Sequence, residues 1–454
     1  MERAARWERF WSDAVNRQVA RAAASVAAAG VLVKLIATVK EFTVAGIYGR
    51  TDAMDAFLAA ALLPALLVNL ISESMNQALI PTFIRVREHQ GERHAQQLLS
   101  SAMLAVCVLL AVAAGVLALA APAIFPLIAS RFGPEKTALA RNLFYALLPT
   151  VLLSGIASNC TSVLNATGRF ALPALAPAVI PLFILVGAPA LAPACGIWAM
   201  VIATLAGTLL YAMLTSSMLT ARGFHFSLRW HGFNEPTREV AHQYGPVLLS
   251  GVVASSGLLV DQSMAAMLPP GSVSALVYAN RFVSVLVALL AGAVAAAVTP
   301  HFSELVAYRN WLACRRSAAN WLRIMAAVSI PLTAALIFGS GPLIRLAFQH
   351  GAFTADDTAV VTPVLAMYAL QIPFFVCSRV YYRVIVALRR TDLIFYCGLI
   401  NLALDIVLNI VLMHWFGIAG IALATSLWTV ATFLFLAYWS RKLLRQHIHR
   451  GCSV

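Results

Sequence analysis

The chain has 454 residues, of which 61% are hydrophobic and only 11% charged, and its mean hydropathy is +0.83. Soluble domains carry about 25% charged residues, so a soluble fold is excluded. The repeated continuous apolar runs of about 20 residues predict an all-α polytopic membrane protein rather than a β-barrel. The net charge of +14 would suit nucleic acid, but the placement of the basic residues, taken up below, argues against that partner.

In chain order, residues 1–22 carry five arginines among Trp7, Phe10 and Trp11. They lack a small-residue cleavage site after a short apolar core and read as an amphipathic segment on the inner membrane surface. Six spans follow, near 23–47, 55–81, 97–121, 139–166, 171–192 and 196–218, forming an N-lobe over 23–218. A basic linker occupies 219–240. Six more spans, near 241–267, 273–299, 320–345, 358–387, 393–413 and 417–439, form a C-lobe over 241–440, and a basic tail covers 441–454.

With both termini cytoplasmic, the inner segments hold 22 of the 32 basic residues and the outer loops and helix ends five. This bias is the positive-inside pattern. It assigns the charge to anionic lipid headgroups rather than nucleic acid. The chain also repeats itself. QALIPTF at 77–83 matches AAVTPHF at 296–302, FGPEKTA at 132–138 matches FTADDTA at 353–359, and Arg169 falls on Arg390. The near-constant offset predicts two six-helix lobes in parallel repeat, an arrangement suited to alternating access around a site between them.

Charges within spans mark candidate sites, because a charge at bilayer depth persists mainly where it faces a bundle interior or a water-filled cavity. They are Lys34, Lys40 and Glu41 in span 1, Glu73 in span 2, Asp261 in span 7, Arg281 in span 8, Arg379 and Arg383 in span 10, and Asp405 in span 11. The basic residues suit an anionic ligand. Lys34 can alternatively snorkel or pair with Glu73, and Arg383 can snorkel near the inner end. Lys40 and Glu41 are adjacent and so do not face each other on a helix. Their partners are therefore expected to be a ligand or another helix, and Arg281 is expected to pair with Asp55 across the lobes. Asp261 and Asp405 either neutralise cations or mark an ion site.

Nothing in the chain has catalytic or metal-ligand spacing. No Walker A loop is present, so energy is expected from membrane potential or from a Na+ or H+ gradient, without a cofactor. The seven cysteines are scattered through apolar runs and read as small packing residues.

Several segments, in order, resemble the MurJ/MviN family of lipid II flippases within the multidrug/oligosaccharidyl-lipid/polysaccharide (MOP) exporter superfamily, which includes the MATE transporters. They are VKLIATVKEFTVAGIYGRTDAMDAFLAAALLPALL (33–67), NQALIPTF (76–83), LNATGRFALPALAP (164–177), VYANRF (277–282) and FQHGAFTADD (348–357). The resemblance spans about residues 30–440. It implies a flippase, not an enzyme, for a polyprenyl-pyrophosphate-linked saccharide, with membrane lipids and envelope-synthesis enzymes as partners. It also implies that Lys34, Lys40 and Arg281 meet the pyrophosphate, with Asp55, Glu41, Glu73 and Asn280 gating or pairing around them. Asp261, Arg379, Arg383 and Asp405 would be secondary cavity charges.

The chain departs from the family pattern in several places. First-helix arginines are lysines here, which keeps charge but loses the bidentate fork. An arginine pair falls on Val68 and Asn69, and an aspartate falls on Asn280. Twelve spans stand where the family resembles a fourteen-helix plan. These departures bring an exopolysaccharide or O-antigen repeat unit alongside lipid II as the cargo. A MATE-like cation-coupled antiporter is the alternative, and it would favour acidic rather than basic cavity residues.

Overall fold

The computed structural model describes residues 14–128, 131–167, 171–225 and 227–451, and among them it contains helices and no strands. Most of the 1–22 segment lies outside the described residues. From Ala14 onward that segment is already part of α1 (Ala14–Tyr48). The remaining N-lobe helices are α2 (Asp52–Gln90), α3 (Glu92–Ile128), α4 (Pro134–Ala166), α5 (Leu172–Cys195) and α6 (Trp198–Thr220). The C-lobe has α7 (Glu235–Ala265), α8 (Ser272–Ala307), α9 (Trp311–Phe338), α10 (Ala355–Ala387), α11 (Thr391–Phe416) and α12 (Ile418–Gly451), with a short helix Ser340–Phe348 before α10.

Eleven of these helices are long and apolar enough to cross a membrane. The twelfth, α1, is 35 residues long and carries Lys34, Lys40 and Glu41. The span expected near 320–345 begins at Trp311 and ends at Phe338, its remainder lying in the short helix, and two domain boundaries also differ from the sequence expectation. Asn234 caps α7 by accepting from Thr237 N at 3.1 Å, so the last residues of the 219–240 linker are helical. The 441–451 part of the tail continues α12. Both differences follow from local signals that extend a helix past its apolar stretch.

The repeat is visible in the backbone. Helix starts at 52, 92, 134 and 198 recur at 272, 311, 355 and 418, offsets of 219 to 221. Gly196 and Gly417 end equivalent helices with the same φ of 56° and ψ of −133°, and each donates its N–H back to a carbonyl four residues earlier. Positive φ at both positions is the reason for glycine. The side-chain caps do not follow the repeat: Thr51 caps α2, Asn310 caps α9 and a Thr354–Asp357 capping box starts α10, whereas Gly271 and Gly133 stand at the starts of α8 and α4.

Each lobe buries its own apolar clusters, while α1 and α2 of the first lobe pack on α7 and α8 of the second. Inside α2, Pro64 is followed by a π-helical turn at Val68–Ser72. Proline removes an amide donor, and π turns widen a helix at points where side chains are re-aimed, often at functional sites.

Candidate functional site

The α1–α8 seam joins the lobes through charge. Glu41, 3% exposed, accepts from the adjacent Lys40 Nζ at 2.7 Å and from the Arg281 guanidinium on α8. Two expectations are therefore corrected. Arg281 pairs with Glu41 rather than Asp55. Glu41 also reaches its helix neighbour, because the flexible lysine stem bends back to an acceptor already fixed by Arg281. Glu41 Oε2 and Arg281 Nε are buried without a hydrogen-bond partner, so the cluster has unused capacity on both signs. Phe42 follows directly and packs on Phe282 and Phe348, with ring centroids 5.8 and 5.0 Å away.

Lys34 is exposed and takes part in none of the ion pairs found among the described residues. It is not brought to Glu73. That carboxylate is exposed beside the π turn and accepts from Ser158 Oγ at 3.4 Å. Asn280 is half-buried next to Arg281.

Asp55 does different work. It is 1% exposed, and its two carboxylate oxygens accept the backbone N–H of Gly271 at 2.7 Å and of Ser274 at 2.9 Å. A side chain of the first lobe thus caps the first turn of α8 in the second, where a helix favours an anion. Lys136 Nζ approaches Asp55 at 3.1 Å and Asp52 at 2.5 Å.

Arg50 extends the same seam, donating to Gly271 O at 3.0 Å and pairing with Asp357 at 3.3 Å. Ala352 N donates to Gly46 O at 2.7 Å, and Tyr278 OH to Gly49 O at 3.0 Å. The approach is backbone to backbone: a Cβ on Gly351 would sit 2.1 Å from Gly46 O, and one on Gly49 2.5 Å from Ala352 O. No larger residue fits this seam as it stands.

Arg50, Lys136 and Asp357 were missed as site residues. A signal for two of them was present, because Lys136 and Asp357 occupy the same register of the repeated loops FGPEKTA and FTADDTA with opposite charge.

A third cluster lies within the second lobe. Asn409 Nδ2 donates to Asp261 at 2.8 Å and to Asp405 at 3.1 Å, and Thr425 Oγ1 donates to Asp261 at 3.2 Å. Asp405 is 2% exposed, and its Oδ2 and Asn409 Oδ1 have no partner. No lysine or arginine pairs with either carboxylate among the described ion pairs. Arg379 and Arg383 are not part of it. Arg379 lies over Phe375 at 4.2 Å and Arg383 over Tyr382 at 5.6 Å, aromatic neighbours on their own helix.

The family model described as lipid II flippase MurJ matches residues 44–454. The chain belongs to the lipid II flippase MurJ family. It is 26% identical over 445 residues to a probable lipid II flippase MurJ of Buchnera aphidicola, covering 93% of this chain and 83% of that protein. A probable lipid II flippase MurJ of Synechocystis is 24% identical over 444 residues, covering 93% and 82%.

Among solved structures, the chain is similar to a lipid II flippase MurJ in an inward closed conformation, with TM-score 0.80, 24% identity and coverage of 92% and 87%. It also resembles an inward-facing multidrug resistance MATE family transporter of the MOP superfamily, with TM-score 0.75, 12% identity and coverage of 92% and 96%. These likenesses show the fold. The seam on α1, α2 and α8 therefore belongs to a two-lobed MurJ-family bundle, and the MATE relation is one of architecture.

Proposed function

We propose that this MurJ-family chain is a flippase that passes the polar head of a polyprenyl-pyrophosphate-linked saccharide, of the lipid II class, across the bacterial inner membrane by alternating access. The observation that carries the reading is the interlobe cluster of Lys40, Glu41 and Arg281 with Lys34 unpaired on the same helix. Two cations, Lys40 and Arg281, meet the one carboxylate of Glu41, and Lys34 lies exposed two turns earlier on the same helix; the surplus suits a doubly charged pyrophosphate diester. Glu41 occupies the cations in the ligand-free protein, and the incoming diphosphate competes for them. Arg281 joins α1 to α8, so exchanging its partner changes a lobe-to-lobe tie. The reading is of transport without bond chemistry. A cationic substrate of the kind an antiporter carries would meet the wrong sign here.

The test is a Lys34→Gln/Arg281→Gln double variant in liposomes carrying labelled lipid II. Flipping is expected to be abolished while the helical circular-dichroism spectrum is kept; full flipping in the double variant would sink this site. Parallel liposomes with an exopolysaccharide-type lipid-linked repeat unit discriminate the saccharide.

The orientation we propose places both termini and the basic loops in the cytoplasm. The charge bias supports it, with 22 of the 32 basic residues in those segments.

The Asp261–Asp405 cluster is our candidate for coupling. Two carboxylates without a cationic partner, beside the buried and partnerless Asp405 Oδ2 and Asn409 Oδ1, fit a hard monovalent cation such as Na+, or a shared proton, better than an ion-free state. Asp405→Asn is expected to remove the dependence of flipping on a Na+ or pH gradient imposed across the liposome. An unchanged gradient response would assign the pair to packing alone.

A further inference from the structure

We propose a second anion site, away from the seam, that binds the phosphate headgroup of an anionic phospholipid. It is a cavity of about 270 Å³ between α9, α10 and α12. Arg315, Arg441 and Arg445 line it together with Tyr381, over apolar walls that include Ala319 and Leu444. No acidic side chain lines it, and none of the three arginines takes part in an ion pair among the described residues. Arg441 is positioned by its Nε donating to Tyr381 OH at 3.2 Å.

The three arginines are exposed residues lining one open-mouthed cavity, and three like charges on its rim favour the entry of an anion. Size and position choose the anion. The volume is near the ~300 Å³ lower end of small-molecule sites, which suits a headgroup and excludes acyl chains. The cavity sits where α9 begins and the membrane part of α12 ends. Trp311 stacks on His447 there and Lys442 lies over Trp439 at 4.7 Å, the amphipathic pairing expected at a headgroup level. Further along α9, Ile324 and Val328 are exposed and offer a surface for the chains. Basic pockets between helices on the cytoplasmic side hold lipid phosphates in this manner.

The experiment uses the full-length purified protein in detergent. It is titrated with short-chain phosphatidylglycerol, short-chain phosphatidylcholine and inorganic phosphate, with affinity read from ligand-induced shifts of the unfolding midpoint. Phosphatidylglycerol is expected to bind and the other two not. Arg315→Gln/Arg441→Gln/Arg445→Gln is expected to weaken binding on the order of a hundredfold. Ala319→Phe, which fills the cavity and keeps every charge, should abolish it independently. A control, Arg389→Gln/Arg390→Gln, removes charge from a nearby loop and should leave affinity unchanged.

Equal binding of the two lipids overturns the proposal, as does inorganic phosphate binding as tightly as phosphatidylglycerol, which makes this a free-phosphate site. Undiminished binding in both cavity variants overturns it as well. So does an equal loss in the loop control, which would make the effect one of general surface charge.

Discussion

Asp55→Ala is expected to open the interlobe seam while each lobe stays folded. The substitution leaves Gly271 N–H and Ser274 N–H without acceptors and deprives Lys136, whose side chain is 11% exposed, of its buried partner. Removing one member of a buried charged pair costs about 3–5 kcal/mol, and a lost helix cap adds about 1 kcal/mol. Lys136 and Asp52 belong to the same lobe as Asp55, so the lost pair weighs on that lobe, while the two α8 N–H groups left without acceptors, at about 1–3 kcal/mol each, weigh on the seam-closed state. A shift of about 3 kcal/mol changes the closed-to-open ratio more than a hundredfold. Pulsed dipolar spectroscopy between spin labels at the exposed positions Glu135 and Leu346 reads the change directly. A longer distance population should appear in the variant. An unaltered distribution would mean that the cap does not hold the lobes.

Glu41→Gln produces the second large effect. It leaves Lys40 and Arg281, with side chains 15% and 29% exposed, sharing an interior without their anion. The ligand-free protein is expected to lose about 3–5 kcal/mol of stability, read as a lower unfolding midpoint. Added pyrophosphate-bearing lipid should then raise the midpoint more in the variant than in the parent, because the ligand supplies the missing negative charge. Equal ligand shifts in the two proteins would contradict the competition between Glu41 and the diphosphate.

The fold was legible because apolar run length and loop charge are properties of the chain alone, and the repeat offset of QALIPTF, FGPEKTA and Arg169 reappears in the helix starts. The members of the candidate site were also legible, since charge at bilayer depth is conspicuous. Their pairing was not. Whether Arg281 meets Asp55 or Glu41 depends on how α8 is shifted along α1, and spacing within one helix carries no information about that. The Asp55 cap on α8 was hidden for a related reason: its acceptors are met by backbone N–H groups, which every residue has. Asn409 was closer to reach, because four residues after Asp405 it must share that helix face.

The glycines of the interlobe seam bear on the permeability of the membrane. A cavity wide enough for a sugar head would, if open at both ends, pass small ions and dissipate the gradients that envelope synthesis depends on. At Gly49 and Gly351 main chain meets main chain, so at that point the barrier depends on the position of the backbone and not on a rotamer. Such a closure is either seated or lost along its length. Opening it takes a movement of whole helices, slower than the rotation of a side chain, while the lipid-linked cargo waits inside.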